Sequence, residues 1–101
     1  MSLVLRIERS ESKDGNFVLD FKFGIEPSLE NQAKMYKALF NRRPFDLLIE
    51  KEIIKLGFEN RKELMKKIEP KLIKLFAHRA PGIYFFKVNK NGKLREEFGN
   101  G

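Results

Sequence analysis

Apolar and polar side chains alternate from the start of the chain. Leu3, Leu5 and Ile7 interleave with Val4, Arg6 and Glu8, a period of two that predicts a half-buried strand. A polar loop containing Asp14-Gly15 follows, and the alternation then resumes. Phe17, Leu19, Phe21, Phe23 and Ile25 fall on one face, with Val18, Asp20, Lys22 and Gly24 on the other. The two segments read as an antiparallel hairpin with one apolar and one polar face.

The period then changes to that of a helix. Leu29, Ala33, Tyr36 and Phe40 form a single stripe that opens at Pro27 or Ser28, with Glu30–Lys34 as a supporting i,i+4 pair. Asn41-Arg42-Arg43-Pro44 ends that helix, and Pro44 suits the first turn of the next. The second helix runs through Leu48, Ile49, Ile53 and Leu56 and stops at Gly57, with Phe58 placed to pack back on the last turn in a Schellman-type end. Asn60 and Glu63 have capping-box spacing and open a third helix, whose buried stripe is Leu64, Met65, Ile68, Leu72 and Phe76. Pro70 is expected to kink this helix or break it in two. His78 and Arg79 stand where cations favour the negative end of the helix dipole, and Pro81-Gly82 closes the helical region.

A second hairpin follows, Ile83–Val88 and Lys93–Phe98, turning at Asn91-Gly92. A two-residue turn would set Val88 opposite Arg95 and mix the faces. A three-residue loop, Lys90-Asn91-Gly92, pairs Val88 with Leu94 and gives one coherent apolar face. The order ββ-ααα-ββ implies an α+β fold: a four-stranded antiparallel sheet with a layer of helices on one face. Residues 83–86 are apolar on both faces and belong inside the sheet, which leaves Leu94–Phe98 near an edge. How the two hairpins join is open. The chain of 101 residues reads as one domain, 1–101, with 99–101 a frayed tail.

Composition narrows the chemistry. Ten phenylalanines and no tryptophan make phenylalanine the main core filler. Cysteine and threonine are absent, and His78 is the only histidine. Disulfides, thiolate nucleophiles and cysteine metal sites are thereby excluded, and any histidine-based catalysis would have to be built on His78. His78 reads instead as a helix C-terminal cation. Glu50 and Glu52, two apart on a helix, and Glu96 and Glu97, neighbours on a strand, point in different directions and read as solvated surface acids. No glycine-rich phosphate loop, HExxH pair or metal cluster is present, so no enzyme, metal, cofactor or small-molecule ligand is expected. The apolar runs are too short to span a bilayer, and the first ten residues carry no leader-like stretch, so a cytoplasmic location without membrane contact is expected.

Charge is where the sequence is most lopsided. Residues 59–79 hold seven cations against three acids, four units of the formal +7, whereas residues 1–27 are close to neutral. On a continuous helix Lys67, Lys71, Lys74 and His78 make a ridge roughly opposite the apolar stripe. Lys66, Lys67, Lys71, Lys74 and Arg79 are therefore the candidate contacts for a nucleic-acid phosphate backbone. The alternative reading of the ridge is a solvated face. A second candidate surface is the sheet face away from the helices, which would display Ile83, Phe85, Lys87 and Arg95 beside Val4, Arg6, Val18 and Lys22. It suits self-association into a homodimer, or stacking of single-stranded bases.

The Lys/Glu-rich, cysteine-free composition resembles the small uncharacterised families of hyperthermophilic archaea of the Thermococcales type, for which no activity is implied. Residues 47–68 resemble the helical half of ribbon–helix–helix proteins, in Leu56, Gly57, Phe58, Arg61, Glu63 and Leu64. That resemblance implies DNA contact, but the family reads DNA with a strand just before its first helix. Residues 28–41 here read as a helix, so the base-reading residues have no counterpart.

Overall fold

A computed structural model describes residues 2–26 and 42–97, with the side chains of 42–45 left aside. Strands β1 (Ser2–Glu11) and β2 (Phe17–Glu26) form the first hairpin. Helices α1 (Arg42–Lys55) and α2 (Arg61–Phe76) follow, then β3 (Gly82–Val88) and β4 (Leu94–Glu97). The four strands make one antiparallel sheet in the order β2-β1-β3-β4. The α+β class and the helix layer on one face are as expected. The described order is ββ-αα-ββ; the first of the three expected helices falls on residues 28–41 and lies outside the described residues, as does the 99–101 tail.

The order follows from which strands bear burial on both sides. β1 sits between β2 and β3, setting Leu5 against Phe23 and Phe86, and Ile7 against Phe21 and Tyr84. β2, with Asp20, Lys22 and Gly24 on its outer face, suits an edge, where polar side chains cost least. β4 forms the other edge, and Val88 pairs with Leu94, the register that the apolar face required. The turn places Asn91 (φ +65°) and Gly92 (φ +77°) in the left-handed region.

The core fills the space between the sheet and α2. Leu3, Leu5 and Ile7 of β1 meet Leu64, Ile68, Leu72 and Phe76 of α2, all essentially without solvent exposure. Ile49 and Ile53 of α1 complete the layer beside Ile25. Phe76 sets its ring edge-on to Tyr84 at 5.0 Å and to Phe86 at 6.1 Å, geometry that favours aromatic quadrupoles.

Local signals in the sequence work as read. α1 ends in a Schellman turn: Phe58 N–H donates to Ile53 O and Gly57 N–H to Ile54 O, with Gly57 at φ +100°. Asn60 accepts from Glu63 N–H at 2.9 Å, while the Glu63 carboxylate reaches back one residue further than a standard capping box, to the N–H of Glu59. Pro70 does not break α2, which is continuous from Arg61 to Phe76. The proline is exposed on the crest of the helix, where the Lys66 carbonyl it leaves unpaired can bond to water.

One expectation needs correction. Glu52 is not a solvated acid: it is 7% exposed, because it shares the stripe of Ile49, Ile53 and Leu56. Its carboxylate accepts from Lys55 Nζ at 3.2 Å, one turn on, while the lysine head stays in water. Glu50 is half-buried and pairs with Arg61 at 3.3 Å. The end of α2 also holds a cation that local spacing did not assign to it. The cation that meets its last carbonyls comes from β1: buried Arg9 donates Nε–H to Phe76 O at 2.9 Å. Arg9 lies opposite Gly82 of β3. Phe17 stacks on it at 4.8 Å and Glu11 stands 3.6 Å away.

Candidate nucleic-acid interface

The outer half of α2 is the basic surface that the charge distribution pointed to. Lys62, Lys66, Lys67, Lys71 and Lys74 are all exposed. None has an acidic partner within 4.0 Å among the described residues. Of the acids nearby, Glu63 is engaged in capping the helix. His78 lies beyond Phe76, the last residue of α2, and at about 100° per residue the ridge Lys67, Lys71 and Lys74 does not lie opposite the buried stripe. It flanks the stripe at about 110°, Lys62 and Lys66 take the other flank, and Pro70 stands on the crest between them. The lysines thus spread over the solvent half of the helix.

The flanking position brings in residues the sequence did not assign to the site. The β3–β4 turn is hydrogen-bonded to the end of α1, Asn91 N–H to Leu56 O, and presses Gly92 against α2. A Cβ at Gly92 would stand 3.0 Å from Lys67 Cγ and 3.3 Å from the Phe58 ring, so the lysine stem lies across the turn. The exposed Lys90 and Lys93 of that turn therefore join the flank of Lys67 and Lys71. The only sequence signal for this was the glycine, required by a close approach that one-dimensional spacing does not reveal.

Arg79, by contrast, is held elsewhere. Its Nη1 donates to Glu96 Oε2 at 2.6 Å, and the guanidinium lies over the rings of Tyr84 and Phe76 at 5.4 and 5.9 Å. The paired carboxylate raises the Arg79 pKa further, and the guanidinium holds Glu96 below the usual glutamate range. This side chain fastens the α2–β3 connection to β4. His78 is exposed beside it, and the Tyr84 hydroxyl donates to Ala80 O at 2.8 Å.

The sheet face away from the helices carries Ile83, Phe85, Lys87 and Arg95 together, as expected. Cross-strand rows run Gly24-Val4-Lys87-Arg95 and Lys22-Arg6-Phe85-Glu97. Three of its four cations have acidic neighbours: Lys87 with Glu26 at 3.3 Å and Glu97 at 3.9 Å, Arg95 with Glu97 at 2.6 Å, and Arg6 with Glu8 at 4.0 Å; Lys22 has none within 4.0 Å among the described residues. Gly24 leaves a shallow hollow of about 440 Å³ beside Val4, Phe23 and Phe85. This face is electrically balanced where α2 is not.

Among the described residues no group of three or more histidine or carboxylate side chains gathers to hold a metal ion, and no helix is long and apolar enough to cross a membrane. No protein-family model matches the chain, and neither the curated proteins nor the solved structures supply a match. The geometry defines a two-layer α+β protein with one cationic helix.

Proposed function

We propose that this protein is a non-catalytic binding module that holds nucleic acid by its phosphate backbone, using the solvent half of α2. Lys66, Lys67, Lys71 and Lys74 supply the charge, and Lys90 and Lys93 extend the surface. The supporting observation is how the cations divide. Those of the α1–α2 and α2–β4 contacts and, Lys22 apart, those of the sheet face stand beside carboxylates, whereas the α2 lysines have none within 4.0 Å among the described residues. Flexible unpaired lysines follow a phosphate backbone without reading bases, and Arg79 has no part in this contact.

The test is binding to short single- and double-stranded oligonucleotides across a salt series. Four to six neutralised phosphates give a log–log salt slope of roughly −3 to −5. Reversal of Lys67, Lys71 and Lys74 to glutamate is expected to flatten that slope by about three and weaken binding more than tenfold. Unchanged affinity in that variant would remove the proposal.

A second reading, self-association through the open sheet face around Ile83 and Phe85, is favoured by the balanced charge and the hollow at Gly24. Phe85→Asp separates the two. It would abolish a dimer formed by that face and leave oligonucleotide binding intact.

A further inference from the structure

We propose that the outer edge of β2 is a homodimer seam, along which the strand pairs antiparallel with β2 of a second copy about a two-fold axis at Phe21. β2 is ten residues long and pairs only with β1 among the described strands, whereas the opposite edge, β4, has four residues. A long unpaired edge presents a row of N–H and C=O groups ready to accept another strand.

The side chains select both partner and register. A two-fold axis perpendicular to the sheet keeps both helix layers on one side, so residues of like parity must face each other. Centring on Asp20 opposes two aspartates, and centring on Lys22 opposes two lysines. Centring on Phe21 sets Asp20 against the partner's Lys22, and Lys22 against the partner's Asp20. Centring on Phe23 sets Asp20 against the partner's Glu26, and centring on Leu19 or Gly24 pairs only half the strand. The same register places Val18, 52% exposed and apolar, over the partner's Gly24. On the helix side it aligns Phe21 with its own copy, Leu19 with the partner's Phe23, and Phe17 with the partner's Ile25.

Of those inward side chains Phe17, Leu19, Phe21 and Phe23 are only half-buried in the single chain, while Ile25 already belongs to the core. A groove of about 280 Å³ runs between Phe17, Leu19 and Phe21 and the side chains of Glu69 and Ile73 of α2, the latter 47% exposed. A continued sheet would extend this apolar row into the second copy. A lone lysine on an edge strand commonly guards against pairing. Here the guard is cancelled, because the Phe21-centred register, besides aligning the apolar row, brings each lysine to an aspartate.

The seam lies apart from the α2 surface, touches the open face only at its margin through Val18, Lys22 and Gly24, and is tested without nucleic acid. Sedimentation equilibrium of the full chain from micromolar to near-millimolar concentration is compared for the wild type, Asp20→Lys, Lys22→Asp and the double exchange Asp20→Lys/Lys22→Asp. All the substituted side chains are exposed, and circular dichroism with urea titration verifies folding. The wild type is expected to dimerise. Each single reversal creates two like-charge cross-strand pairs and should raise Kd by roughly tenfold, and the double exchange should restore it. A wild type that stays monomeric throughout, single reversals that leave Kd unmoved, or a double exchange without rescue would each overturn the seam. A dimer indifferent to these charges but lost in Phe85→Asp would overturn it in favour of the open face.

Discussion

Arg9 is the residue on which most of the architecture converges. It is a cation buried at the end of β1, and α2 terminates on it. The negative end of the helix dipole and the Phe76 carbonyl compensate its desolvation, helped by the Phe17 ring. Arg9→Ala removes a charge-assisted hydrogen bond and leaves that carbonyl only the Arg79 N–H, 3.2 Å away. The expected loss is about 2–3 kcal/mol, read from the urea midpoint. Gly92 is constrained by both backbone and space. Gly92→Ala would strain φ +77° and press a methyl onto Lys67 and the Phe58 ring, costing about 1–3 kcal/mol in the same assay. The Arg79–Glu96 pair makes a pH-dependent contribution. Glu96 titrates lower when folded, so its share of stability is complete above the ordinary glutamate range and is lost as pH falls through the depressed value. Partly exposed, it is worth roughly 0.5–1 kcal/mol. Acid titrations of the wild type and Glu96→Gln should differ by that amount near neutrality and converge at low pH.

At the scale of the element, α2 serves both layers of the argument. Its inner stripe builds the core and its outer half carries the charge, and Pro70 sits on the crest between the two lysine flanks. The helix is continuous because Leu64, Ile68, Leu72 and Phe76 are anchored on the sheet on both sides of the proline. Tertiary packing therefore outweighs the lost hydrogen bond. Replacing Pro70 with alanine restores a donor to the Lys66 carbonyl and should raise stability by about 1–3 kcal/mol, visible as a higher melting temperature. A lower melting temperature would mean that the local backbone has adapted to the proline ring.

For the molecule as a whole, folding and the proposed binding rest on different charges. The paired cations hold elements together: Arg61 joins α2 to α1, Arg79 joins the end of α2 to β4, and Lys87 stands between β2 and β4. The α2 lysines face solvent. Reversing Lys67, Lys71 and Lys74 should consequently leave unfolding free energy within about 0.5 kcal/mol per site while changing any interaction with polyanions. Calorimetry beside the oligonucleotide assay checks that separation.

The sequence alone determined the parts governed by near neighbours. Strand alternation, the Gly57 Schellman turn, the Asn60 cap and the Val88–Leu94 register depend on residues a few positions apart, and each was legible. So was the concentration of charge on α2, because i+4 and i+7 spacing is itself a statement about a helix surface. Distance along the chain hid the rest. Arg9 and Phe76 are sixty-seven residues apart, and nothing local marks that arginine as the partner of a helix end. The burial of Glu52, the diversion of Arg79 to Glu96 and the addition of Lys90 and Lys93 to the basic flank all needed the sheet order β2-β1-β3-β4. Only the packing of one hairpin beside the other decided which charges are paired and which are left to solvent.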